Sequence, residues 1–262
     1  MTITPASAAA EEAGDGYLVR SLGLTFREGA VIHAHDHPWG QLVYTRSGSI
    51  SVASDAMIWF TPPTRAIWLP PPRRHALTVR RTAALRTLYL SPHLTKDRLP
   101  AEAAVLEVSP LLRELVPHIL KIGMLSPANA AQARLAGVLM DLLEQAEPQD
   151  MALPLPADLR ARTFAERLCA APDARQPLAD AAREAGASLR TLQRTFLRET
   201  GMTLDAWRQK ARLIHAAAIL SAGAPVTTAA LDCGYDSVSA FIAAFRRQFG
   251  TTPGQYRLAR GG

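Results

Sequence analysis

The pattern of apolar and polar residues changes twice along the chain. Between residues 17 and 90, short apolar runs are separated by glycine and proline, which predicts a series of short β-strands. The predicted strands cover residues 41–46, 50–53, 57–60, 67–69, 76–79 and 85–90. Ser47-Gly48-Ser49 lies between the first two and predicts a hairpin turn. Short strands at this spacing predict a small all-β barrel or sandwich.

From about residue 100 the spacing of apolar residues becomes helical. Pro110–Leu125 and Asn129–Gln145 each carry leucines at intervals of three and four, which predicts two amphipathic helices. Their apolar faces are available either for a dimer contact or for packing back on the β-domain, and the pattern does not choose between these. Residues 147–156, rich in proline and polar residues, predict a linker.

Residues 157–258 have a helical pattern throughout and contain an internal repeat. The segment 178–186 recurs 48 positions later as 226–234, each ending at a glycine, and after that glycine the offset becomes 49. Ser188 then matches Ser237, and Trp207-Arg208 matches Tyr256-Arg257. Each unit therefore predicts a helix, a glycine turn and a second helix capped by serine, joined by a long helix over 204–222.

The second helix in the first copy of the repeat has two contrasting faces. Four apolar residues are predicted to point inward: Leu189, Leu192, Phe196 and Leu197. The opposite face carries Arg190, Gln193, Arg194 and Arg198. Arginine can contact guanine and glutamine can contact adenine in the major groove, although such a face is also typical of an ordinary solvated helix.

Charge favours the DNA-binding interpretation of this face. Residues 1–155 contain 14 Lys and Arg against 14 Asp and Glu, and so are neutral. Residues 156–262 contain 15 against 9, which places the whole net charge of +6 in the helical segment. A basic C-terminal domain joined to a neutral N-terminal one is typical of a polyanion-binding protein with a separate second function.

The C-terminal segment resembles the AraC/XylS family of bacterial transcription regulators. The resemblance extends over about 164–256 and is carried by LADAAREAGASLRTLQRTFLRETG and VTTAALDCGYDSVSAFIAAFRRQFGTTPGQYR. It implies two helix-turn-helix units that enter successive major grooves, and it places the base contacts of the first on Arg190, Gln193 and Arg194. The full set of expected DNA-contacting residues is Ser188, Arg190, Thr191, Gln193, Arg194, Arg198, Ser237, Ser239, Arg246 and Arg247.

The two units are not equivalent as DNA readers. The second recognition helix presents Ser239, Ala240 and Ala243, which offer little hydrogen bonding. Ser237, Ser239, Arg246 and Arg247 are expected to hold phosphates, which fix the register without reading sequence. The first helix-turn-helix unit is therefore expected to dominate base discrimination.

Residues 29–48 resemble the first cupin motif. Their sequence is GAVIHAHDHPWGQLVYTRSG, and Gln41 stands where that family has glutamate. Pro70, Pro72 and His75 resemble part of the second motif. By position the resemblance implies a divalent-metal cluster of His35, His37, Gln41 and His75, suited to Zn, Fe, Ni, Co or Cu. The alternative is a metal-free pocket whose histidines bind an organic effector; its expected lining is His33, Trp39, Tyr44 and Trp68.

Together these features predict an α+β multidomain protein. The expected parts are a flexible N-terminus (1–16), a cupin-like sensor barrel (17–98), a helical dimerisation or linker segment (99–146), a linker (147–156) and the DNA-binding domain (157–258). Two cysteines and no long apolar run favour a cytoplasmic protein without a membrane segment.

The favoured function is a ligand-responsive regulator that binds duplex DNA, acts on RNA polymerase and forms a homodimer. One alternative is a metal-dependent cupin enzyme with a DNA-binding appendage; another is a constitutive DNA-binding protein with a structural barrel. No further catalytic motif occurs in the sequence, so no catalytic residues are assigned.

Overall fold

The computed structural model describes residues 16–170 and 177–258, which form two compact units. The first unit contains the chain up to Asp55 and Trp59–Met151, and the second contains Ala152 onward together with Ala56–Ile58. The expected flexible N-terminus lies, except for Gly16, outside the described residues. Among the described helices, none is both long and apolar enough to span a bilayer.

The first unit is built on two antiparallel sheets. The strands of these sheets are β1 (Val19–Phe26), β2 (Val31–His35), β3 (Gly40–Thr45), β4 (Ser49–Ser54), β5 (Met57–Thr61, which belongs to the first unit from Trp59 onward), β6 (Arg65–Leu69), β7 (His75–Arg81), β8 (Ala83–Leu90), β9 (Ala104–Glu107), β10 (Met124–Leu125) and β11 (Pro148–Gln149). One sheet has the order β10-β1-β8-β3-β6-β9-β11, and in the other β5, β4, β7 and β2 are neighbours in that order. The predicted strands all form, and β1, β2, β9, β10 and β11 are additional to them.

The predicted hairpin at Ser47-Gly48-Ser49 is wrong, because β3 and β4 belong to different sheets. β3 pairs with β6 and β8, whereas β4 pairs with β7. Gly48 has φ +77°, and a Cβ there would lie 2.2 Å from the carbonyl oxygen of Thr82, in the β7–β8 connection. The glycine therefore allows two chain crossings between the sheets to pass side by side.

The two predicted amphipathic helices pack on the first sheet. A short helix α1 (Pro92–Thr95) precedes them; α2 is Pro110–Ile122 and α3 is Ala130–Glu144. Their buried residues form one cluster with strand residues, and its members include Leu42, Tyr44, Leu88, Leu112, Val116, Ile119, Leu139 and Leu143. Most of the apolar surface of these helices is thus covered within the first unit, while Leu111 and Val138 stay exposed.

Residues 147–156, predicted as an irregular linker, contain two short strands. β11 pairs with β9 through Pro148 and Gln149, and β12 (Ala152–Pro154) belongs to the second unit. There Leu155 N–H donates to the Ala56 carbonyl at 2.7 Å. Backbone hydrogen bonds to residues distant in the chain order this segment. Its proline-rich composition alone does not indicate such long-range pairing.

The second unit is helical. Its helices are α4 (Leu159–Ala170), α5 (Leu178–Glu184), α6 (Leu189–Thr200), α7 (Leu204–Ser221), α8 (Val226–Asp232), α9 (Val238–Phe249) and α10 (Pro253–Leu258). α5 and α8 begin 48 positions apart, and α6 and α9 begin 49 positions apart, as the sequence repeat predicts. The turn glycines Gly186 and Gly234 have φ of +74° and +71°, a conformation that favours glycine.

The two halves of the repeat are held by equivalent aromatic contacts. Phe196 of α6 meets Trp207 of α7 edge-on with ring centroids 5.4 Å apart, and Phe245 of α9 meets Tyr256 of α10 at the same distance. Trp207 also donates its indole N–H to the Pro154 carbonyl at 2.7 Å. Each recognition-type helix is therefore fixed by its inner face, which leaves its outer face to solvent.

Candidate nucleic-acid interface and histidine cluster

Helix α6 begins at a serine cap and buries one side. Ser188 Oγ accepts a hydrogen bond from Thr191 N–H at 3.1 Å, which satisfies an otherwise unpaired donor of the first turn. Leu192, Thr195 and Phe196 are buried at spacings of three and four. This buried stripe fixes the rotation of the helix about its axis, so the residues on the opposite side are held outward.

The outward side of α6 carries Arg190, Gln193 and Arg194. All three are exposed, and they line one shallow concavity of about 510 Å³ together with Leu197 and Thr203 and their neighbours. The prediction that Leu197 points inward is wrong, because its side chain is 55% exposed and Thr195 occupies the buried stripe instead. Leu197 follows Gln193 by four residues and so extends the polar face with an apolar end.

Arg198, also predicted to contact DNA, has a partner within the protein. Its Nη2 donates to Glu199 Oε1 at 2.5 Å, and Glu199 Oε2 accepts from Ala157 and Asp158 N–H at 2.9 and 3.0 Å. The Asp158 backbone hydrogen bond and then Arg198 lower the pKa of Glu199. Arg198 therefore belongs to a contact between the end of α6 and the segment before α4.

Helix α9 repeats this arrangement with different outward residues. Ser237 Oγ accepts from Ala240 N–H at 3.4 Å, and Phe241, Ala244 and Phe245 are buried. The expected DNA-contacting residues Ser237, Ser239, Arg246 and Arg247 are all exposed. The second helix is thus presented in the same way as the first, but between its cap and its arginines it carries small or aliphatic side chains.

Three histidines of the first unit converge at the end of β2 and the start of β7. His35 and His75 are paired across these strands, and His37 follows β2. One ring nitrogen from each of the three lies within 4.8 Å of the others. His37 and His75 are buried, whereas His35 is partly exposed. The sequence-predicted metal residues are therefore brought together from separate parts of the chain.

Backbone carbonyls set the tautomer of all three rings. His35 Nδ1 lies 2.8 Å from the His33 carbonyl oxygen, His37 Nδ1 lies 2.7 Å from that of Trp39, and His75 Nδ1 lies 2.7 Å from that of Arg73. A carbonyl can only accept, so each Nδ1 carries a proton, and in an uncharged ring Nε2 is then the nitrogen that keeps a lone pair. This arrangement is typical of metal-binding histidines. The Nε2 atom of His75 is buried and has no hydrogen-bond partner.

Gln41 supplies an oxygen beside these nitrogens. Its Oε1 lies 3.3 Å from His37 Nε2, and its Nε2 donates to Thr87 Oγ1 at 3.0 Å. Thr87 donates in turn to the Leu42 carbonyl at 3.2 Å, which fixes the orientation of the amide. The two atoms are within hydrogen-bonding distance of each other, and both are of a type that binds divalent transition metals.

Burial keeps the inner histidines uncharged. It lowers the pKa of His75 from 6.5 to about 4, with the neighbouring His35 and His37 acting in the same direction. Burial likewise lowers the pKa of His37. Neutral imidazole is the form that binds metal, so both rings are ready to act as ligands at neutral pH.

The four residues predicted to line an effector pocket lie in different surroundings. His33 is exposed on β2 and lies outside the histidine cluster, to which it contributes a backbone carbonyl. Tyr44 and Trp68 lie in the core cluster that packs against α2 and α3. By strand alternation Tyr44 faces away from Gln41. Trp39 is buried beside the Arg20 guanidinium, 4.9 Å from its ring centroid.

Two residues of the cluster's surroundings were not found by sequence reasoning. Thr87 orients Gln41, and the Tyr89 ring lies edge-on to His37 with centroids 5.2 Å apart. Both lie on β8, more than 40 residues from their partners, and β8 pairs with β3 so that Gln41 is opposite Tyr89. Strand alternation from Gln41 across a known β3–β8 pairing would have identified them.

Comparison with known proteins covers both units. The helix-turn-helix domain family matches residues 181–259. The HTH-type transcriptional regulator NimR from Escherichia coli is 33% identical over 222 residues, which is 85% of this chain and 81% of NimR. The thermoregulatory protein LcrF from Yersinia pestis is 26% identical over 98% of this chain and 94% of its own length.

Among solved structures, ToxT from Vibrio cholerae O395, bound to (E)-4-(8-methylnaphthalen-1-yl)but-3-enoic acid, is similar at 12% identity and a TM-score of 0.40. The match covers 93% of this chain and 99% of ToxT. A similarity of this size supports no conclusion about the ligand of the present chain. NimR, by contrast, is similar over most of both units at an identity that reflects common descent.

Proposed function

Because the chain belongs to the AraC/XylS family of helix-turn-helix transcriptional regulators, we propose that it recognises a specific DNA sequence chiefly through α6. The two helix pairs α5–α6 and α8–α9 act in this proposal as two helix-turn-helix units on one duplex. The observation that carries it is the outward face of α6, where Arg190, Gln193 and Arg194 are exposed while the opposite face is buried.

The chemistry of this face suits direct reading of bases. Arginine can donate two hydrogen bonds to guanine O6 and N7, and glutamine can pair with adenine N6 and N7. Positions 190, 193 and 194 lie on one side of a helix, so their side chains reach neighbouring base pairs. Arg246 and Arg247 at the end of α9 add contacts to phosphates, which position the domain.

A binding experiment on the full chain tests this proposal. Preferred duplexes are selected from a random library, and dissociation constants are measured by fluorescence anisotropy. Arg190→Ala and Arg194→Ala are each expected to weaken binding by about 1–3 kcal/mol and to relax preference at one base position. Arg134→Ala, an exposed charge on α3, is the matched control and is expected to bind normally. Unchanged affinity and preference in both test variants would contradict the assignment.

For the first unit we propose a cupin-like sensor whose ligand is a divalent transition metal. The donor atoms fit such an ion, since three imidazoles each offer a ring nitrogen within 4.8 Å of the others and Gln41 adds a neutral oxygen. When bound, the metal would supply a positive charge held by these four side chains. A small organic effector remains the competing ligand class, and no catalytic role is proposed.

Metal binding is tested on the full chain after treatment with a chelator. Cobalt(II) is titrated in, and the visible d–d absorption of nitrogen-coordinated cobalt is followed. His75→Ala is expected to abolish the spectrum, while His33→Ala, which changes an exposed ring outside the cluster, is expected to retain it. No cobalt spectrum in the unchanged protein would favour the organic effector.

The partners proposed from the sequence complete this function. Homodimer formation would use the exposed Leu111 and Val138 of α2 and α3, and RNA polymerase is the expected partner at promoters. A cytoplasmic location accords with a DNA-binding function. Sedimentation of Leu111→Glu and Val138→Glu against the unchanged protein tests the dimer, which should dissociate in both variants.

A further inference from the structure

We propose that α9 reads thymine by its C5-methyl group, through Ile242 and Ala243. The second helix would then contribute a preference for thymine in the part of the operator that it faces. This inference rests on the proposed DNA-binding function and assigns a base specificity within it. It replaces the expectation that α9 holds phosphates alone.

The outward stripe of α9 forms a shallow groove of about 700 Å³. Ser239, Ile242, Ala243 and Arg246 follow one another at helical spacing along it, and the groove is completed by Arg247 and Thr252. Ser239 and Ala243 are exposed, and Ile242 is half-buried. The apolar residues thus lie in the middle of the stripe, and the two cations lie at its C-terminal end.

The apolar middle of this stripe is suited to contact with thymine in the major groove. Thymine presents a methyl group there, whereas guanine, adenine and cytosine present only hydrogen-bonding atoms. The side chains of Ile242 and Ala243 carry no donor or acceptor. They would leave the polar edge of another base desolvated without a partner, which is unfavourable. Small side chains also allow the helix to approach the base edges closely.

The arginines beside the stripe supply the affinity that an apolar contact lacks. Arg246 and Arg247 are exposed in the last turn of α9, where they can reach the phosphate backbone. Phosphate contacts hold a helix in register without discriminating between bases. The same helix would therefore hold phosphates through its arginines and recognise a methyl group, whereas α6 would recognise bases through hydrogen bonds from Arg190, Gln193 and Arg194.

The test replaces thymine by uracil in the selected operator, which keeps base pairing and removes only the methyl group. Base pairs facing α6 are first identified as those whose substitution no longer matters in Arg190→Ala, Gln193→Ala or Arg194→Ala. Thymines in the remaining part of the footprint are then taken to face α9. Each contacted thymine is expected to lose about fourfold in affinity when replaced, the change that corresponds to about 0.8 kcal/mol for one buried methyl-sized group.

A pair of protein variants assigns the effect to the proposed residue. Ala243→Gly removes the alanine methyl that would contact thymine. The loss of affinity on replacing thymine by uracil is therefore expected to become smaller at one position. Ala240 is exposed, as the sequence pattern predicts, but it does not line the groove. Ala240→Gly therefore makes the same change on the same helix and is expected to keep the full loss of affinity with uracil. Circular dichroism checks that both variants stay helical. The comparison of thymine with uracil on the unchanged protein does not depend on either substitution.

The possible results separate this inference from the function on which it rests. If no duplex is selected over random sequence, the proposed sequence-specific binding fails and this inference fails with it. If an operator is selected but uracil changes affinity less than twofold at every thymine facing α9, or none occurs there, methyl reading by α9 is wrong while the regulator stands. An equal loss of the uracil penalty in both glycine variants would remove Ala243 from the contact.

Discussion

Lowering the pH is predicted to destabilise the first unit in the absence of metal, because its inner histidines are buried uncharged. Burial lowers the pKa of His75 from 6.5 to about 4 in the folded protein. Between these values the unfolded chain binds a proton that the folded chain does not. The free energy of unfolding is therefore highest above pH 6.5, and it decreases as the pH falls toward 4.

The size of the effect follows from this shift. With a pKa of 6.5 when unfolded and about 4 when folded, the linkage relation gives a loss of about 2 kcal/mol between pH 7 and pH 5. The lowered pKa of His37 contributes a loss of stability in the same direction. A loss of this size is a large fraction of the stability of an ordinary domain.

The assay follows urea unfolding of chelator-treated protein at pH 7 and pH 5 by tryptophan fluorescence. Trp207 belongs to the second unit, whereas Trp39, Trp59 and Trp68 belong to the first. In a Trp207→Phe background the signal therefore reports the first unit alone. Repeating both measurements in His75→Gln, which cannot titrate, should remove most of the pH dependence.

Equal stability at pH 7 and pH 5 would refute this reasoning, because it would mean that His75 is protonated as easily in the folded protein as in the unfolded one. A pH dependence that persists unchanged in His75→Gln would assign it to other groups. The control variant His33→Ala, which alters an exposed ring, should keep the full dependence.

Three further predictions concern the backbone and the helical unit. Gly48→Ala should cost at least about 2 kcal/mol, since it combines positive φ with a Cβ 2.2 Å from a backbone oxygen; a urea midpoint near that of the unchanged protein would disprove the close crossing. Ser188→Ala should cost about 1 kcal/mol through loss of the cap on Thr191 N–H, visible as a lower Tm. Phe196→Ala should cost about 3–5 kcal/mol, and so should Phe245→Ala, because both rings are fully buried; a small loss in calorimetry for either would contradict the equivalent packing.

The organisation of the helical unit was predictable from the sequence because its signals are local. Serine caps, turn glycines and apolar spacing act within a few residues, and the repeat offsets of 48 and 49 transfer directly to α5 and α8 and to α6 and α9. Leu197 was the exception. Whether a leucine at the edge of the apolar stripe is buried depends on how far the neighbouring helices extend, which spacing does not reveal.

Tertiary structure decided the sheet pairing and the surroundings of the histidines. β3 and β4 are consecutive, yet they join different sheets, because strand partners are chosen by long-range packing and not by the turn between them. That pairing brings Thr87 to Gln41, and it turns Tyr44 away toward the helices. The residue types and spacing of the cluster were visible in the chain, but His75 and Thr87 reached His37 and Gln41 only when distant strands paired.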